Sequence, residues 1–415
     1  MNRTLAIALA CGAALPLALA ACTAAPAPQP DQSAAASPEA ASSDHGSVAG
    51  ATEVAEPQLQ LLTVTAAGDV GLLDLLDGGE RTLPTVPAPA RLATDGRYVF
   101  SDSGSGVSIT DSGAWTWDHG DHFHYYRADP AHLGSVTGEG PAAVTGDVLS
   151  TAGSTGVFFA GSGDAVLLDN AELSSGRVVE RFRVREAPHV GIAAPLGAGA
   201  LVSHLDEASG ETQLRVLDAG GKPTGAMTAC ESPRSATSTR AGLVVLCEGG
   251  AVVAASGDLE FVSLPADAGG SPVSLSGRKG RPVLAGPGAD AAGQPGTWSF
   301  DARALSWQWS PASAPLLRVS AVGDDEGHVV ALDTEGRVHV GHGGKETAVT
   351  PPLLDPADLE PGAASAVTLS VDQQRAYLNA PTAGIVYEID YADGARVARE
   401  LTPALRPDFV AEVGL

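Results

Sequence analysis

The strongest constraint on the fold of this chain is a recurring unit of two short apolar strands joined by a turn rich in glycine or aspartate. Clear copies span residues 97–109, 156–168 and 200–216. Later copies begin near Leu243, Pro282, His328 and Arg375. About seven units, mostly some forty to fifty residues apart, match the spacing of four-stranded propeller blades. The sequence therefore predicts an all-β chain folded as a β-propeller, with seven four-stranded blades.

The region before the first repeat offers a way to close the predicted ring. Residues 57–75 include the apolar segment 59–64, which is typical of a strand. If these residues pair with the last repeat, the ring closes and its sheet edges are covered. A two-sheet sandwich array is the alternative architecture, but the even repetition favours a propeller. The repeats lack the WD and kelch signatures, so this prediction depends on spacing and strand pattern.

The amino-terminal segment indicates where the protein works. Residues 5–21 are almost entirely apolar and end in Leu-Ala-Ala before Cys22, which is typical of a bacterial lipoprotein signal. We predict that residues 1–21 are removed and that Cys22 carries the lipid. Residues 22–56, rich in Pro, Ala and Ser, have the composition of a flexible tether. The domain 57–415 would then lie on the extracytoplasmic face of the cell membrane, although an ordinary secretory signal with an incidental cysteine is the alternative.

The charge balance narrows the possible partners. The chain has 49 acidic and 24 basic residues. Such an excess of negative charge argues against nucleic acid and against electrostatic docking onto anionic lipid. The lipid at Cys22 is then the only predicted contact with the membrane, and we expect a monomer.

Motifs of common catalytic sites are missing from the sequence. It contains no GxSxG elbow, P-loop, dinucleotide-binding glycine fingerprint or HExxH motif. We therefore predict that the protein is not an enzyme. Two alternatives stay open: a metal-dependent hydrolase, since zinc with an open position can activate water, and a surface-anchored propeller that binds a protein or glycan.

Two cysteines remain in the body of the protein once Cys11 and Cys22 are assigned to the signal and the lipid. Outside the cytoplasm, Cys230 and Cys247 should be oxidised to a disulfide. A zinc site built from their thiolates is the alternative, but no histidine lies nearby in the sequence to complete it.

A block of histidines and carboxylates at residues 118–126 is the most chemically specific segment of the sequence. It reads Asp-His-Gly-Asp-His-Phe-His-Tyr-Tyr in a chain with only 10 histidines. Side chains two residues apart on an extended strand share a face, so His122 and His124 could present two imidazoles to one zinc ion. His119 lies across a glycine and could turn in as a third ligand. The alternative is a polar surface loop that binds nothing.

Other features of this region support an ordered metal site. Asp118 or Asp121 could complete the coordination or orient an imidazole ring. Aromatic residues flank the block, as expected of a loop packed against a surface. The repeat spacing from Tyr98 to Val157, about sixty residues, is the longest, so the block should lie on an elongated hairpin or loop of an early blade.

Other histidines could provide a further ligand or a second site. His189 follows a proline and precedes an apolar strand, where a structural hydrogen-bonding role is the default. His204 alternates with apolar residues and could face the central channel. His328, His339 and His342 are close in sequence and could form a second shallow site, although a hairpin with incidental histidines is the simpler interpretation.

The segment Trp-Asp-His-Gly-Asp-His-Phe-His-Tyr-Tyr at 117–126, with the later Val-Leu-Cys-Glu-Gly-Gly at 245–250, resembles the AztD-type zinc metallochaperones, here in an actinobacterial-type lipoprotein version. The resemblance implies a propeller that captures zinc and hands it to the solute-binding protein of a zinc ABC transporter. It implies that His122 and His124 are the primary ligands, with His119 beside them and His189 as the best-placed further histidine.

The sequence departs from this family at two places. The segment that follows Cys230 contains no histidine, and the His/Asp-rich segment of some members is reduced to residues 44–46. These departures argue against a secondary zinc site and against a separate His/Asp-rich segment that captures zinc.

Overall fold

The computed structural model describes residues 46–118, 120, 122–255 and 257–415. The predicted signal peptide, the predicted lipidation site Cys22 and the first part of the predicted tether lie outside the described residues. The same is true of His119 and Asp121 within the histidine block. In the described part of the chain, no helix is long and apolar enough to cross a membrane.

Short antiparallel strands make up nearly all of the regular structure. The first strands are β1 (Thr52–Val54), β2 (Gln60–Val64), β3 (Val70–Asp74), β4 (Glu80–Leu83), β5 (Arg91–Thr94), β6 (Tyr98–Asp102), β7 (Gly106–Asp111), β8 (Ala114–Asp118), β9 (Phe123–Arg127), β10 (Ala131–Thr137), β11 (Ala142–Gly146), β12 (Ser154–Phe159) and β13 (Asp164–Asp169). A single turn of helix, α1 (Asn170–Ser174), follows β13.

The middle of the chain continues the same pattern. Its strands are β14 (Glu180–Arg185), β15 (Ala193–Leu196), β16 (Gly199–Leu205), β17 (Thr212–Leu217), β18 (Pro223–Ala229), β19 (Ser235–Thr239), β20 (Gly242–Cys247), β21 (Gly250–Ala255), β22 (Asp258–Ser263), β23 (Val283–Ala289), β24 (Pro295–Asp301) and β25 (Ser306–Pro311).

The last part of the chain completes the series. Its strands are β26 (Leu316–Ala321), β27 (Val329–Asp333), β28 (Val338–His342), β29 (Lys345–Val349), β30 (Leu369–Val371), β31 (Ala376–Ala380), β32 (Ile385–Asp390), β33 (Arg396–Leu401) and β34 (Phe409–Val413). A short 3-10 helix, Pro356–Leu359, lies between β29 and β30.

Aspartates at strand ends explain why the hairpins turn where they do. At the end of β27, Oδ1 of Asp333 accepts hydrogen bonds from the backbone N–H groups of Glu335 (2.9 Å) and Arg337 (2.8 Å). Gly336 in this turn has a φ of 78°, which residues with a side chain rarely adopt. An aspartate that binds backbone amides ahead of it favours a turn over continued strand.

The described strands form seven four-stranded sheets, a three-stranded sheet from β23 to β25, and a small sheet in the order β1-β9-β8. Within the larger sheets, sequential strands pair antiparallel, as in propeller blades. The predicted all-β propeller is therefore confirmed. Counting the three-stranded sheet, eight blade-like sheets follow one another, whereas the sequence predicted seven blades.

The additional sheet is the one that closes the ring. Strand β2 pairs on one side with β3 and on the other with β34, with Leu62 opposite Ala411. The prediction that residues 57–75 pair with the last repeat is therefore wrong in its partner, since β2 pairs with β34, which follows that repeat. These residues form a sheet of their own, in the order β34-β2-β3-β4, instead of extending the last repeat. A repeat count misses this sheet because its strands come from two distant parts of the sequence.

Apolar side chains pack between neighbouring sheets. Phe100 and Ile109, from the sheet that contains β5 to β7, belong to one buried cluster with Val157 and Val166 of the next sheet. All four are at most 1% exposed. This packing gives a rigid base for the loops and insertions that project from the sheets.

Residues 46–56, the last part of the predicted tether, are ordered. Strand β1 pairs with β9, with Glu53 opposite Tyr126. The carbonyl of Gly46 accepts a hydrogen bond from Nε1 of Trp115 at 3.0 Å. The folded domain therefore begins before the predicted boundary at residue 57, because backbone pairing adds a strand whose sequence has no apolar pattern.

The predicted disulfide between Cys230 and Cys247 is present, with a Cα–Cα distance of 5.2 Å. Cys247 ends β20, and Cys230 follows β18 of the preceding sheet. Both residues are at most 1% exposed. The bond therefore joins two neighbouring sheets within the core.

Replacement of both cysteines, Cys230→Ser with Cys247→Ser, is expected to lower the free energy of unfolding by about 2–4 kcal/mol, because the reduced unfolded chain gains freedom. Urea denaturation followed by circular dichroism measures this change. Wild-type protein kept in a reductant is the matched control and should show a similar shift. An unchanged unfolding midpoint in both samples would show that the bond contributes nothing to stability.

Candidate metal centre

The histidine block lies on a hairpin inserted into a sheet. Strands β8 and β9 form this hairpin between β7 and β10, which pair directly with each other in the sheet. The prediction that the block sits on an elongated segment of an early blade is confirmed. Strand β1 pairs with the free edge of β9, so the hairpin becomes a three-stranded sheet.

Aromatic packing fixes the base of the hairpin. Trp115, only 1% exposed, stacks on Tyr126 with ring centroids 5.3 Å apart. The guanidinium carbon of Arg97 lies 3.8 Å from the centroid of the Trp115 ring. Arg97 is held in turn by two hydrogen bonds to Asp111, at 3.0 and 2.7 Å. Cation–π contact and aromatic stacking both favour a single position of the hairpin.

The strand register divides the hairpin into two faces. Trp117 is opposite His124, and Glu53 of β1 is opposite Tyr126, so these side chains share one face, which we call the histidine face. Asp118 is opposite Phe123, so these two occupy the other face, together with the pair of Thr116 and Tyr125. We call this second surface the inner face.

The two histidines meet on the histidine face. The Nε2 atoms of His122 and His124 are 2.9 Å apart, and the two ring centroids are 4.8 Å apart. Two imidazole nitrogens bound to one tetrahedral zinc, each at about 2.0–2.1 Å, would be separated by about 3.3 Å. A small shift of one ring, together with removal of the proton that lies between the two Nε2 atoms, would convert the observed pair into two ligands of one ion.

Glu53 orients the second of these rings. Its Oε1 lies 2.7 Å from Nδ1 of His124. An ionised carboxylate accepts the Nδ1 proton, so the neutral His124 ring keeps its lone pair on Nε2, toward His122. A carboxylate behind an imidazole is the common arrangement around metal-bound histidines, because it fixes the tautomer and raises basicity. Glu53 was not predicted from the sequence, since only the pairing of β1 with β9 brings it to the block.

Asp118 does not lie with the two histidines. It is on the inner face and forms an ion pair with Arg240. The suggestion that Asp118 completes the shell of the histidine pair is therefore not supported by its position. Successive side chains of a strand point to opposite faces. Asp118 pairs with Phe123, which precedes His124 by one residue, so Asp118 and His124 face opposite sides of the hairpin.

His189 is placed in the loop between β14 and β15. Its Nδ1 lies 2.7 Å from the carbonyl oxygen of Ala187, and its Nε2 lies 2.8 Å from Oγ of Ser203. The ring also packs against Phe158, with centroids 4.8 Å apart. These contacts fit a structural histidine, and zinc would have to displace the Ser203 hydroxyl. Metal ligation by His189 stays a prediction.

A second group of metal-ligating side chains lies in the turn before β27. One ligand atom from each of Asp324, Glu326 and His328 lies within 4.8 Å of the others. Nδ1 of His328 is 2.6 Å from Oδ2 of Asp324. Burial opposes ionisation of Asp324, but hydrogen bonds from His328 outweigh it and lower the pKa of this carboxyl. The His342 ring is 5.2 Å from that of His328.

His339, the third histidine of this region, has a different role. Its Nε2 is 2.8 Å from Asp333, and its Nδ1 is 2.9 Å from Glu346. The ring is buried between these two carboxylates, and its hydrogen bonds lower the pKa of both against the opposing effect of burial. His339 therefore links β28 to its neighbours as a structural residue, whereas His328 belongs to the acidic group.

These features define a class of protein, a β-propeller that carries a histidine pair on an inserted hairpin. The chain shares its fold with AztD from Citrobacter koseri, with a TM-score of 0.71 and 20% sequence identity over 86% of this chain and 98% of that protein. Apo AztD from the same organism gives a TM-score of 0.70 with the same identity and coverage. No family model and no curated protein matches the sequence. The predicted AztD-type recognition is confirmed as a shared fold.

Removal of the large ring in Trp115→Ala is expected to lower the free energy of unfolding by about 3–5 kcal/mol, because it leaves an empty space where the ring packs at the base of the hairpin. It should also speed hydrogen exchange at the amides of Thr52 and Glu53, which pack onto that hairpin. Trp309→Ala, on the sheet that contains β23 to β25, is the control and should leave these two amides unchanged. Equal exchange at β1 in both variants would contradict the supporting role of Trp115.

Proposed function

We propose that the protein captures zinc outside the cytoplasm through His122 and His124 and transfers it to the solute-binding protein of a zinc ABC transporter. The observation that carries this proposal is the approach of the two Nε2 atoms to 2.9 Å, with the carboxylate of Glu53 behind His124. The AztD-type fold supports the assignment. Zinc is the expected cargo because neutral imidazoles are among its preferred ligands.

The site suits transfer better than permanent storage. His122 and Glu53 are exposed, and the His124 side chain is 19% exposed. Two protein ligands leave positions on zinc for water, for His119 or Asp121, or for a histidine of the recipient. An incoming ligand can then bind before an outgoing one leaves. His189 stays a further predicted ligand, which would act only after release from Ser203.

The amino-terminal anchor fits this scheme. A lipid at Cys22 would hold the domain at the extracytoplasmic face of the cell membrane, where the recipient is also expected. The ordered residues 46–54 run along the hairpin, since β1 pairs with β9. The predicted tether would thus lead directly to the metal-binding hairpin. We propose that the protein acts as a monomer and makes no other membrane contact.

The double variant His122→Ala with His124→Ala should bind zinc at least about 100-fold more weakly than wild type, because it loses two ligands. A competition titration against a chromogenic chelator measures the affinity of the mature domain. The matched control is His328→Ala with His342→Ala, which removes the other histidine pair and should leave the high-affinity step unchanged. Equal affinity in wild type and the hairpin variant would remove the basis for the proposal.

Glu53→Gln should weaken zinc binding by roughly 10-fold, because the amide supports the His124 ring less strongly than the carboxylate. The control is Glu56→Gln, which removes the same charge from a nearby exposed residue. The same titration compares both variants. If Glu56→Gln has as large an effect as Glu53→Gln, the contribution is long-range charge and not the contact with His124.

We further propose that the protein is not an enzyme. Zinc-loaded protein is expected to show no turnover of esters, phosphoesters or lactones above the background of free zinc. A spectrophotometric assay of wild type and His122→Ala tests this expectation. Turnover that disappears in His122→Ala would contradict the chaperone function and favour a metal-dependent hydrolase.

A further inference from the structure

A cavity of about 410 Å³ lies beneath the inner face of the hairpin. Asp118, Phe123 and Tyr125 of the hairpin form one wall. The lining also includes four basic residues: Arg240, Arg278, Lys279 and Arg281. This chain has only 24 basic residues and a net charge of −25. Four cations around one cavity are therefore a strong local departure from the charge of the protein.

Two of these cations already have partners. Arg240 pairs with Asp118, and Nζ of Lys279 donates to a main-chain oxygen of Leu415, the last residue of the sequence, at 2.9 Å. Asp95 also attracts Lys279, although burial dominates and lowers the pKa of this lysine. Arg240 and Lys279 thus belong largely to the structure of the cavity wall.

Within the described ranges of the chain, the other two cations, Arg278 and Arg281, have no such partners. Nε of Arg278 is buried without a hydrogen-bond partner. Among the described residues, no carboxylate lies within ion-pair distance of either guanidinium. Glu56 and Asp372 also border the cavity, but neither forms an ion pair with these arginines. A buried donor without an acceptor is costly, so an acceptor that reached Arg278 from the cavity would be stabilising.

Mutual repulsion adds to this imbalance. Burial lowers the pKa of Arg278, and the charge of Arg281 lowers it further, while Tyr391, Asp324 and Asp372 act in the opposite direction. Burial and Arg281 likewise lower the pKa of Arg240. The charge of Arg281 therefore acts on both other guanidinium groups, and an anion bound beside it would relieve this repulsion.

The lining also has an apolar part. Leu59, Leu76, Val148 and Leu149 border the cavity together with the ring of Phe123. An inorganic anion would leave these side chains facing water, whereas an organic ligand would cover them. The volume also falls in the usual range of small-molecule sites, about 300–1,000 Å³.

We propose that this cavity binds a small organic anion with two or more carboxylates, which Arg278 and Arg281 hold while the carbon skeleton packs against Phe123 and the leucines. Guanidinium groups match carboxylates through paired hydrogen bonds, which explains the use of arginine. Because Phe123 and the histidine pair face opposite sides of the hairpin, this site does not depend on the proposed zinc function.

The probe for this site is tricarballylate, a tricarboxylate, titrated calorimetrically into metal-free protein. Wild type should bind it, and Arg278→Gln and Arg281→Gln should each weaken binding at least 10-fold. Arg303→Gln, which removes an exposed arginine that does not line the cavity, is the matched control and should bind as wild type does. Thermal unfolding of each variant confirms that the fold is intact.

A second variant separates specific contact from diffuse charge. Arg281→Lys keeps the charge but loses the paired hydrogen bonds, so it should bind more tightly than Arg281→Gln and more weakly than wild type. No binding to wild type, or equal binding to wild type and both glutamine variants, would overturn the proposal. Inorganic phosphate binding as tightly as tricarballylate, or an acidic peptide binding where tricarballylate does not, would also overturn it.

Discussion

The pairing of β2 with β34 is the interaction on which the rest of the molecule depends. It joins segments near the two ends of the described chain into one sheet, with Leu62 opposite Ala411. Bringing such distant segments together costs chain entropy, which the hydrogen bonds and the buried cluster around Leu62 and Val413 offset. Because this pairing covers sheet edges that would otherwise be open, the ring becomes a rigid support for inserted segments.

The ring supports the inserted hairpin, which separates the candidate metal site from a cavity that contains several basic residues. Its histidine face carries His122 and His124 with Glu53 behind them, and its inner face covers a cavity lined by arginines. Alternation of side chains along β8 and β9 is enough to separate the two surfaces. Positive charge in the cavity would repel a metal cation, so the proposed zinc site benefits from lying on the opposite face of the hairpin.

Much of the fold was predictable because a hairpin repeat leaves a local signature. Apolar runs such as 98–100 and 157–159, with aspartate or glycine at the turns, predicted both the strands and the propeller. The eighth sheet was not predictable as a repeat, because β34 and β2 belong to it but are distant in sequence. Strand β1 was also missed, since Thr-Glu-Val in a segment that resembles a linker gains its structure only by pairing with β9.

The candidate site shows the same limit. His122 and His124 could be predicted as a pair because they are two residues apart, so their contact depends only on the local geometry of the strand. The roles of Glu53, Arg278 and Arg281 could not be predicted from the sequence. Long-range contacts bring Glu53 to His124 and Arg278 to the cavity under the hairpin. Asp118 was suggested as a ligand because it is near in sequence, but the strand register turns it to the inner face.

Anomalous X-ray diffraction from crystals of the zinc-loaded protein, with data on both sides of the zinc absorption edge, tests the central claim most directly. The account predicts a strong zinc peak between His122 and His124, about 2.0–2.1 Å from each Nε2 atom, with Glu53 still in contact with Nδ1 of His124. A principal zinc peak at Asp324, Glu326 and His328, with none on the hairpin, would contradict it.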